Sequence, residues 1–336
     1  MGNEMKQPGA HMASEIQEAA AVFAGAVVTD PIGVVSLEQI RAIYTIARGS
    51  SDAAANILSY EAMRELGIPV TSLPPSAFSV YGGVSMASAL ALVISQSGAS
   101  PDLVASAKGI RDNGGHVVSI TNKPASAVEN ASDATLAMNA GPELAVPATK
   151  TVIGSIAAGM SLIAAFKPDY RAKCLSAAAQ FEAIAGNSLK DSDRLRAALL
   201  KARHVYVIGR GAGYGAAHEV ALKIKETCAI HAEAYSASEV LHGPLQLATN
   251  PLCVLVLDTG EDSARASVEK AYARFAEIGA DVHRITPGDL GAAQTTPAAA
   301  AAILLYAIYP IILSTALALG FDPDAPATLS KVTETT

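Results

Sequence analysis

A unit of strand, Gly/Ser-rich loop and helix occurs once in each half of this sequence, and it constrains the fold more than any other feature. In the first half, an apolar run at 42–47 precedes such a loop and a helical pattern at 53–66. In the second half, a run at 204–208 precedes another loop and a helical pattern from 216 to about 228. Strands that alternate with helices are typical of parallel sheets covered by helices on both faces. We therefore predict an α/β fold with two tandem flavodoxin-like halves, each a parallel sheet sandwiched by helices.

Further short apolar runs bounded by Gly or polar residues complete the two predicted sheets. Runs with continuous apolar character are typical of central strands buried on both faces. The additional strands predicted in this way are 70–73, 90–94, 117–121, 230–235, 253–257 and 282–285.

The length of 336 residues suits two domains of ordinary size. The boundaries that we predict are a helical segment at 1–30, a first domain at 31–165, a partly helical linker at 166–193, a second domain at 194–325 and a tail at 326–336.

The composition narrows the class of partner. The net charge of −7 argues against a nucleic-acid binder, which usually shows a basic face. The sequence has three cysteines, an odd number that does not suggest a disulfide framework, and its polar N-terminus has no secretory signal pattern. Both observations suit a reducing cytoplasm. We predict no metal, because five histidines lack carboxylate or cysteine partners at ligand spacing; they are His116, His204, His218, His231 and His283.

The segment 298–320 is uncharged and about long enough to cross a bilayer. Pro310 interrupts it, and no Lys/Arg cluster flanks it as orientation in a membrane would favour. We interpret it as a buried helix pair or as a helix at a dimer interface, and we predict no membrane association.

The segment 219–244 carries the clearest chemistry. Glu219, Lys223 and Glu226 are spaced i, i+4 and i+7, so on a helix they share one face. His242 follows and stands before Gly-Pro, where a helix or strand does not readily continue. Two carboxylates, an amine and an imidazole in one short segment are typical of proton transfer.

This segment resembles the isomerase half of glutamine–fructose-6-phosphate amidotransferase and the shorter sugar-phosphate deaminases built on the same pair of SIS (sugar isomerase) domains. The family pattern reads roughly E-G-A-L-K-L-K-E, then H-A-E-A-Y, then E-x-x-H-G-P, and this sequence follows it without gaps. The resemblance extends from about Glu4 to Thr333, and a short motif, Met5-Lys6-Gln7-Pro8, is similar to the family's start of the isomerase half.

Two serine-rich loops resemble the phosphate loops of that family. Ser95-Gln96-Ser97-Gly98-Ala99-Ser100 is similar to S-Q-S-G-E-T, with Ala99 in place of the acidic residue. Gly49-Ser50-Ser51 is similar to G-T-S at the end of the first strand. Small residues, hydroxyls and helix N-terminal amides favour a phosphate, and ligands of open α/β sheets bind beyond the carboxyl ends of the strands. Taken alone, each loop could also be an ordinary helix cap.

Two further motifs extend the resemblance. The stretch 139–150 is similar to N-A-G-x-E-x-x-V-A-S-T-K, in which the backbone at the position of Val146 and a serine hold the sugar. Ala148 replaces that serine here and loses its hydroxyl. The tail around Lys331 is similar to L-x-K-x-V-T, whose lysine lies beside the sugar carbonyl.

The loop 209–215 matches a loose G-x-G-x-x-A dinucleotide pattern. No acidic residue closes the second strand in the context that such a site requires, so we predict a tight turn without NAD and no cofactor.

The resemblance implies roles for the residues it matches. Glu226 would move a proton between C2 and C1, and His242, supplied by the other subunit of a homodimer, would open the sugar ring. Lys331 and Lys223 would stabilise or covalently hold the open-chain carbonyl, with Glu219 pairing Lys223. The phosphate would bind at the loops, whose matched residues are Gly49, Ser50, Ser51, Ser95, Gln96, Ser97 and Ser100.

Because residue 2 is Gly and this length leaves no room for a glutaminase half, we expect deamination of glucosamine 6-phosphate to fructose 6-phosphate and ammonia. Galactosamine 6-phosphate, a fructosamine 6-phosphate or a simple aldose–ketose pair stays open as the substrate. A sugar-phosphate sensor is the alternative of another class.

Overall fold

The structure, a computed structural model, describes residues 7–33 and 35–331. The motif residues Met5 and Lys6, and Val332 and Thr333 of the tail, lie outside the described residues. In the first half the strands are β1 (Ile32–Gly33), β2 (Ala42–Ile46), β3 (Val70–Ser72), β4 (Ala89–Ser95), β5 (His116–Thr121) and β6 (Ala134–Ala137). In the second half they are β7 (His204–Gly209), β8 (His231–Ser236), β9 (Cys253–Leu257) and β10 (Asp281–Ile285).

The helices alternate with these strands along the chain. They are α1 (Ala10–Ala26), α2 (Gly49–Leu66), α3 (Ser76–Ser79), α4 (Pro101–Asp112), α5 (Ala127–Asn130), α6 (Lys150–Phe166), α7 (Arg171–Ile184), α8 (Ser192–Lys201), α9 (Ala212–Cys228), α10 (Asp262–Glu277) and α11 (Pro297–Ala318). Short 3-10 helices cover Pro168–Tyr170, Gly243–Thr249 and Pro287–Leu290.

Both sheets have the flavodoxin-like order that the strand–helix alternation predicts. The first sheet runs β1-β6-β5-β4-β2-β3, and only β1 is antiparallel to its neighbour. The second runs β10-β9-β7-β8 and is parallel throughout its described strands. In each half the first long strand lies between the second and the third, so the strand order reverses there and a ligand crevice is expected at that point.

Burial on both faces explains why the sequences of the central strands are continuously apolar. All seven residues of β4 and all five of β9 are buried, because helices cover both faces of each sheet.

Close packing of α2 against α9 joins the two halves. Gly215 makes this approach possible, because a Cβ at that position would lie 2.7 Å from the backbone nitrogen of Ile57 and 3.0 Å from the carbonyl oxygen of Ala53. The first turn of α9 therefore packs against the part of α2 that includes Ala53 and Ile57.

Two helices begin earlier than predicted. The helix α2 starts at Gly49 and not at Ala53, and α9 starts at Ala212 and not at Ala216. Gly and Ser disfavour helix interiors, but a first helical turn leaves its amides unpaired in any case, so both loops supply the opening turns of their own helices.

The apolar segment near the end of the chain is one helix, and the expectation of a helix pair is wrong. α11 runs through Pro310, which faces outward and is exposed while its neighbours are buried. Only one backbone donor is lost there, and burial of the turns on both sides holds the helix together. Within the described residues, α11 is the one helix long and apolar enough to cross a membrane, but 78% of its most apolar window is buried inside the protein.

Candidate active site

The two serine-rich loops meet at the carboxyl ends of neighbouring strands. β2 pairs with β4, so the first turn of α2 lies beside the loop that follows β4. Ser50 and Ser51 belong to that first turn, and Ser95 ends β4. Serines of both loops line the same cavity, and hydroxyls beside a helix N-terminus are suited to an anion.

A cavity of about 190 Å³ lies at this edge of the sheet. Residues from the two loops, from α9, from the segment before α6 and from the tail all line it. The predicted site residues brought together there are Ser50, Ser51, Ser95, Gln96, Ser97, Ser100, Val146, Ala148, Lys223, Glu226 and Lys331. Two charged residues that the sequence analysis did not assign, Arg48 and Glu143, line the same cavity.

Arg48 brings a fixed positive charge to the cavity beside the serine-rich loops. Its Nη2 and Nε atoms lie 2.6 Å and 2.9 Å from Asp102 Oδ2. The Asp102 side chain is fully buried, whereas half of the Arg48 side chain is exposed. The carboxylate therefore orients the guanidinium and leaves other donors available to a bound anion. In the sequence, the position of Arg48 directly before the loop residue Gly49 could have indicated that it belongs to the site.

The loop after β4 owes its shape to Gly98. Its φ is +59°, and its amide donates to Ser95 Oγ at 3.0 Å. A Cβ at this position would lie 2.2 Å from Ser126 Oγ. A tight turn with exposed amides is the geometry that lets a backbone approach a phosphate.

The centre of the site is Lys223 on α9. Its Nζ lies 2.5 Å from Glu226 Oε2, 3.4 Å from Glu219 Oε1 and 2.8 Å from Ser50 Oγ. Lys223 and Glu219 are fully buried. The helical spacing i, i+4, i+7 predicted that Glu219, Lys223 and Glu226 share one face. In the structure both carboxylates contact the Lys223 amine.

Burial and charge set the protonation of this group. Burial raises the pKa of Glu219 to about 7, although the neighbouring Lys223 ammonium acts in the opposite direction. Burial alone would lower the pKa of Lys223, but the carboxylates of Glu219 and Glu226 outweigh it, so this pKa is raised. Lys223 is therefore an ammonium at neutral pH.

Glu219 is further held by the middle of the apolar helix α11. Tyr309 on α11 donates its hydroxyl to Glu219 Oε1 at 3.1 Å. Glu219 Oε2 is buried and accepts no hydrogen bond from residues 7–33 or 35–331. Glu219 thus lies behind Lys223 and supports it from within the core.

Glu226, in contrast, reaches the cavity. Its side chain is 24% exposed, and its carboxylate is anchored on one oxygen by Lys223. A carboxylate held in this way has its other oxygen available to a ligand proton.

The tail brings a second amine to the cavity. Lys331 Nζ donates to the carbonyl oxygen of Ala145 at 2.5 Å and lies 3.5 Å from Glu143 Oε2. Glu143 is itself fixed by Thr151, whose hydroxyl donates to it at 2.6 Å. The match of Glu143 to the family's N-A-G-x-E motif was the signal for its place in the site.

An interlock between α1 and the tail holds this arrangement. Asp324 accepts hydrogen bonds from the backbone amides of His11 and Met12, both at 2.8 Å, and caps the first turn of α1. The carbonyl oxygen of Asp324 accepts from the amide of Val146, in the cavity wall, at 3.3 Å. Asp322 accepts from the amide of Gly9 at 3.0 Å.

Three predicted site residues lie outside the cavity lining, namely Glu219 behind Lys223, Gly49 and His242. Gly49 opens α2 with a φ of +51°, directly beside the lining residue Ser50. His242 lies at the start of the 3-10 helix Gly243–Thr249, is exposed and lines another cavity with Leu241 and Leu245.

The glycine loop after β7 forms a tight turn. A Cβ at Gly209 would lie 2.0 Å from the carbonyl oxygen of Gly213, so only glycine fits this close crossing. This is the strand-to-helix turn that the sequence predicts.

One premise about the histidines is wrong. His283 was expected to lack carboxylate or cysteine partners, but its Nε2 lies 3.0 Å from Asp281 Oδ1, and Cys253 is close to both. β10 pairs with β9 so that Asp281 lies opposite Cys253, a proximity that depends on the sheet register.

Two flavodoxin-like halves, serine loops at the strand ends and a buried lysine–carboxylate group facing one cavity define an α/β protein of the sugar isomerase type. The chain belongs to the SIS domain family, whose model matches residues 36–165 and 198–304.

Known proteins support this assignment. The chain is 31% identical over 301 residues to the isomerizing glutamine–fructose-6-phosphate aminotransferase of Sulfurisphaera tokodaii, a match that covers 86% of this chain and 49% of that protein. The chain thus spans about half the length of the curated relatives it matches.

Solved structures show the same fold. A protein from Silicibacter pomeroyi assigned as a phosphosugar isomerase is 32% identical, with a TM-score of 0.77 over 93% of this chain and 94% of that chain. The glucosamine-6-phosphate deaminase of Thermotoga maritima has a TM-score of 0.75 at 19% identity over 97% of this chain and 100% of that chain, which is a likeness of fold.

Proposed function

We propose that this protein catalyses the isomerising deamination of an amino-sugar 6-phosphate, with glucosamine 6-phosphate giving fructose 6-phosphate and ammonia. The observation that carries the proposal is the single cavity that joins the serine loops to Glu226, Lys223 and Lys331. A phosphate site and a proton-transfer group at one cavity match a substrate with a phosphate at one end and a reactive carbonyl at the other.

The phosphate would bind at the strand ends. The loop 95–100 and the first turn of α2 offer amides and hydroxyls, and Arg48 adds a charge. The protein has a net charge of −7, so this local set of donors is what attracts an anion.

Glu226 would be the general base. In the open-chain amino sugar it would remove the proton from C2 and return it to C1. The C1 oxygen gains a proton and the C2 amine loses one, so the aldehyde becomes an alcohol and the amine becomes a C2 imine. Addition of water to that imine then releases ammonia and leaves the ketose. A positioned base of this type contributes roughly two to four orders of magnitude in rate.

The two lysines would have different partners. Lys223, an ammonium between two carboxylates, would hold the Glu226 carboxylate in place. Lys331 lies across the cavity and would stabilise the charge that develops on the C1 oxygen or hold the carbonyl covalently.

Ring opening would require a second copy of the chain. Because His242 lies on a different surface from the cavity, we propose a homodimer in which His242 of the partner subunit completes the site. We also propose that the protein works in the cytoplasm, without metal or cofactor in this reaction.

Ammonia release from glucosamine 6-phosphate and galactosamine 6-phosphate, coupled to glutamate dehydrogenase, tests the proposal. Release from one sugar, abolished by Glu226→Gln, is the expected result and names the epimer. Ketose formation without ammonia from a non-amino aldose 6-phosphate would replace it with a simple isomerase. Release of an amine from a fructosamine 6-phosphate would indicate a deglycase. Binding without turnover of any of these would indicate a sensor.

A further inference from the structure

A second cluster of reactive side chains lies at the amino ends of two strands in the second sheet. Cys253 begins β9 and Asp281 begins β10, and the two are paired in the sheet register. His283 follows on the same face of β10, two residues after Asp281. One ligand atom from each side chain lies within 4.8 Å of the other two.

The imidazole of His283 is the least satisfied part of the cluster. Its side chain is only 9% exposed, and its buried Nε2 has no hydrogen-bond partner among residues 7–33 and 35–331. The 3.0 Å contact with Asp281 Oδ1 does not have the geometry of a hydrogen bond. Buried polar atoms are normally paired, so a nitrogen aimed at a carboxylate and a thiol in this way calls for a further partner.

We propose that Cys253, Asp281 and His283 form a binding site for a divalent cation of the zinc type. Sulfur, imidazole nitrogen and carboxylate oxygen are the donors that Zn²⁺ and Co²⁺ accept together. Tetrahedral coordination with bonds of about 2.0–2.3 Å places ligand atoms roughly 3.3–3.7 Å apart, which small side-chain rotations can reach from this arrangement.

Charge balance favours a divalent cation at this cluster, because one thiol and one carboxylate contribute to it. On binding, the metal would displace the thiol proton to solvent, so the thiolate and the carboxylate together neutralise the two positive charges of the ion.

The site would keep one position open. Cys253 and Asp281 line a cavity of about 610 Å³, which is also lined by His204 and His231. The Nδ1 atoms of that histidine pair lie 3.2 Å apart. Because two of the three protein ligands face this cavity, a fourth coordination position would be open to water or to a small donor ligand.

This site is separate from the substrate cavity. It lies at the amino ends of β9 and β10, whereas the serine loops follow the carboxyl ends of strands in the other sheet. We therefore expect metal to change the stability of the second half without being required for turnover.

Cobalt titration of the chelator-treated full chain is the direct test. We expect one equivalent of Co²⁺ to bind, with a thiolate-to-metal absorption band in the near ultraviolet and release of about one proton at neutral pH. Cys253→Ser should abolish the band, and Asp281→Asn and His283→Gln should each weaken binding at least tenfold. Cys174→Ser, a buried cysteine in α7, is the matched control and should keep the band.

Thermal unfolding is a second test of the metal site, and it does not depend on the buried Cys253→Ser or His283→Gln variants folding correctly. Asp281 is 56% exposed on its side chain, so Asp281→Asn should fold normally. Zn²⁺ should raise the Tm of the natural protein and not that of Asp281→Asn. Absence of the band, binding that survives Cys253→Ser, or an equal Tm shift in both proteins would overturn the proposal and indicate an adventitious surface site.

Discussion

Lys223 Nζ lies 2.8 Å from Ser50 Oγ, and this one hydrogen bond joins the two halves of the protein at the site. Ser50 belongs to the first turn of α2, beside the phosphate loops, and Lys223 belongs to the helix that carries Glu226. The group that would bind the phosphate and the group that would move the proton are therefore positioned by each other.

Replacing Glu226 by Gln should remove the proposed base while keeping its size. We expect turnover to fall by about two to four orders of magnitude. Binding of the phosphosugar should change little, because the serine loops are untouched. Steady-state ammonia release and calorimetric binding measure the two effects. Glu233→Gln, on β8, is a control of the same chemistry outside the cavity lining, and turnover that survives Glu226→Gln would exclude this role.

Glu219 should make stability depend on pH. Its pKa is about 7 when folded and has an ordinary value of 4.5, so between these values the folded chain holds a proton that the unfolded chain has released. The free energy of unfolding should therefore fall as pH rises through this window, by at most about 1.4 kcal/mol per pH unit.

Glu219→Gln removes that titration. Urea unfolding at about pH 5 and about pH 8 should show the variant gaining stability relative to the natural protein at the higher pH. Glu277→Gln, whose side chain is 69% exposed, serves as control and should leave the difference unchanged. Parallel pH profiles for Glu219→Gln and the natural protein would contradict the assignment.

Gly98→Ala should distort the phosphate loop. The added Cβ would collide with Ser126 Oγ, and a φ of +59° disfavours alanine. We expect a loss of about 1–3 kcal/mol in unfolding free energy and a KM raised at least tenfold. Gly25→Ala in α1, where nothing lies within 4 Å of the new Cβ, should keep the KM unchanged. Equal KM values for the two variants would exclude the loop from phosphate binding.

Subunit mixing tests the origin of His242. Glu226→Gln and His242→Ala should each be nearly inactive as homodimers. In a mixed dimer, one site pairs the intact Glu226 of the second chain with the intact His242 of the first. Random pairing should then restore about a quarter of the natural activity, because half of the dimers are mixed and each has one complete site. If His242 acts within its own chain, every site lacks one residue and the mixture stays inactive.

Elements with a strong local pattern were predictable from the sequence. β9 has the predicted bounds because its five consecutive apolar residues, which are followed by Asp258, fit a strand buried on both faces. β1 and β6 were missed, because runs of two and four residues carry no periodicity of their own. β1 is defined by its pairing with β6, and β6 by its pairing with β5 and β1.

The site was predictable where residues share one element and less so where the fold joins distant ones. The face of α9 followed from helical spacing. Arg48 and the cluster around Cys253 did not, because their partners Asp102 and Asp281 are brought to them by sheet register and helix packing. Neither the Arg48–Asp102 contact nor the Cys253–Asp281 pairing produces a periodic pattern in the sequence.

The interlock between α1 and Asp324 has a consequence for how activity appears during folding. The segment that carries Lys331 reaches the cavity only after residues about 310 positions apart have met. Contacts of such separation form late, because a long loop must close first. Catalytic turnover should therefore return after the helical circular-dichroism signal in a refolding experiment, and a partly folded intermediate with both sheets formed should still be inactive.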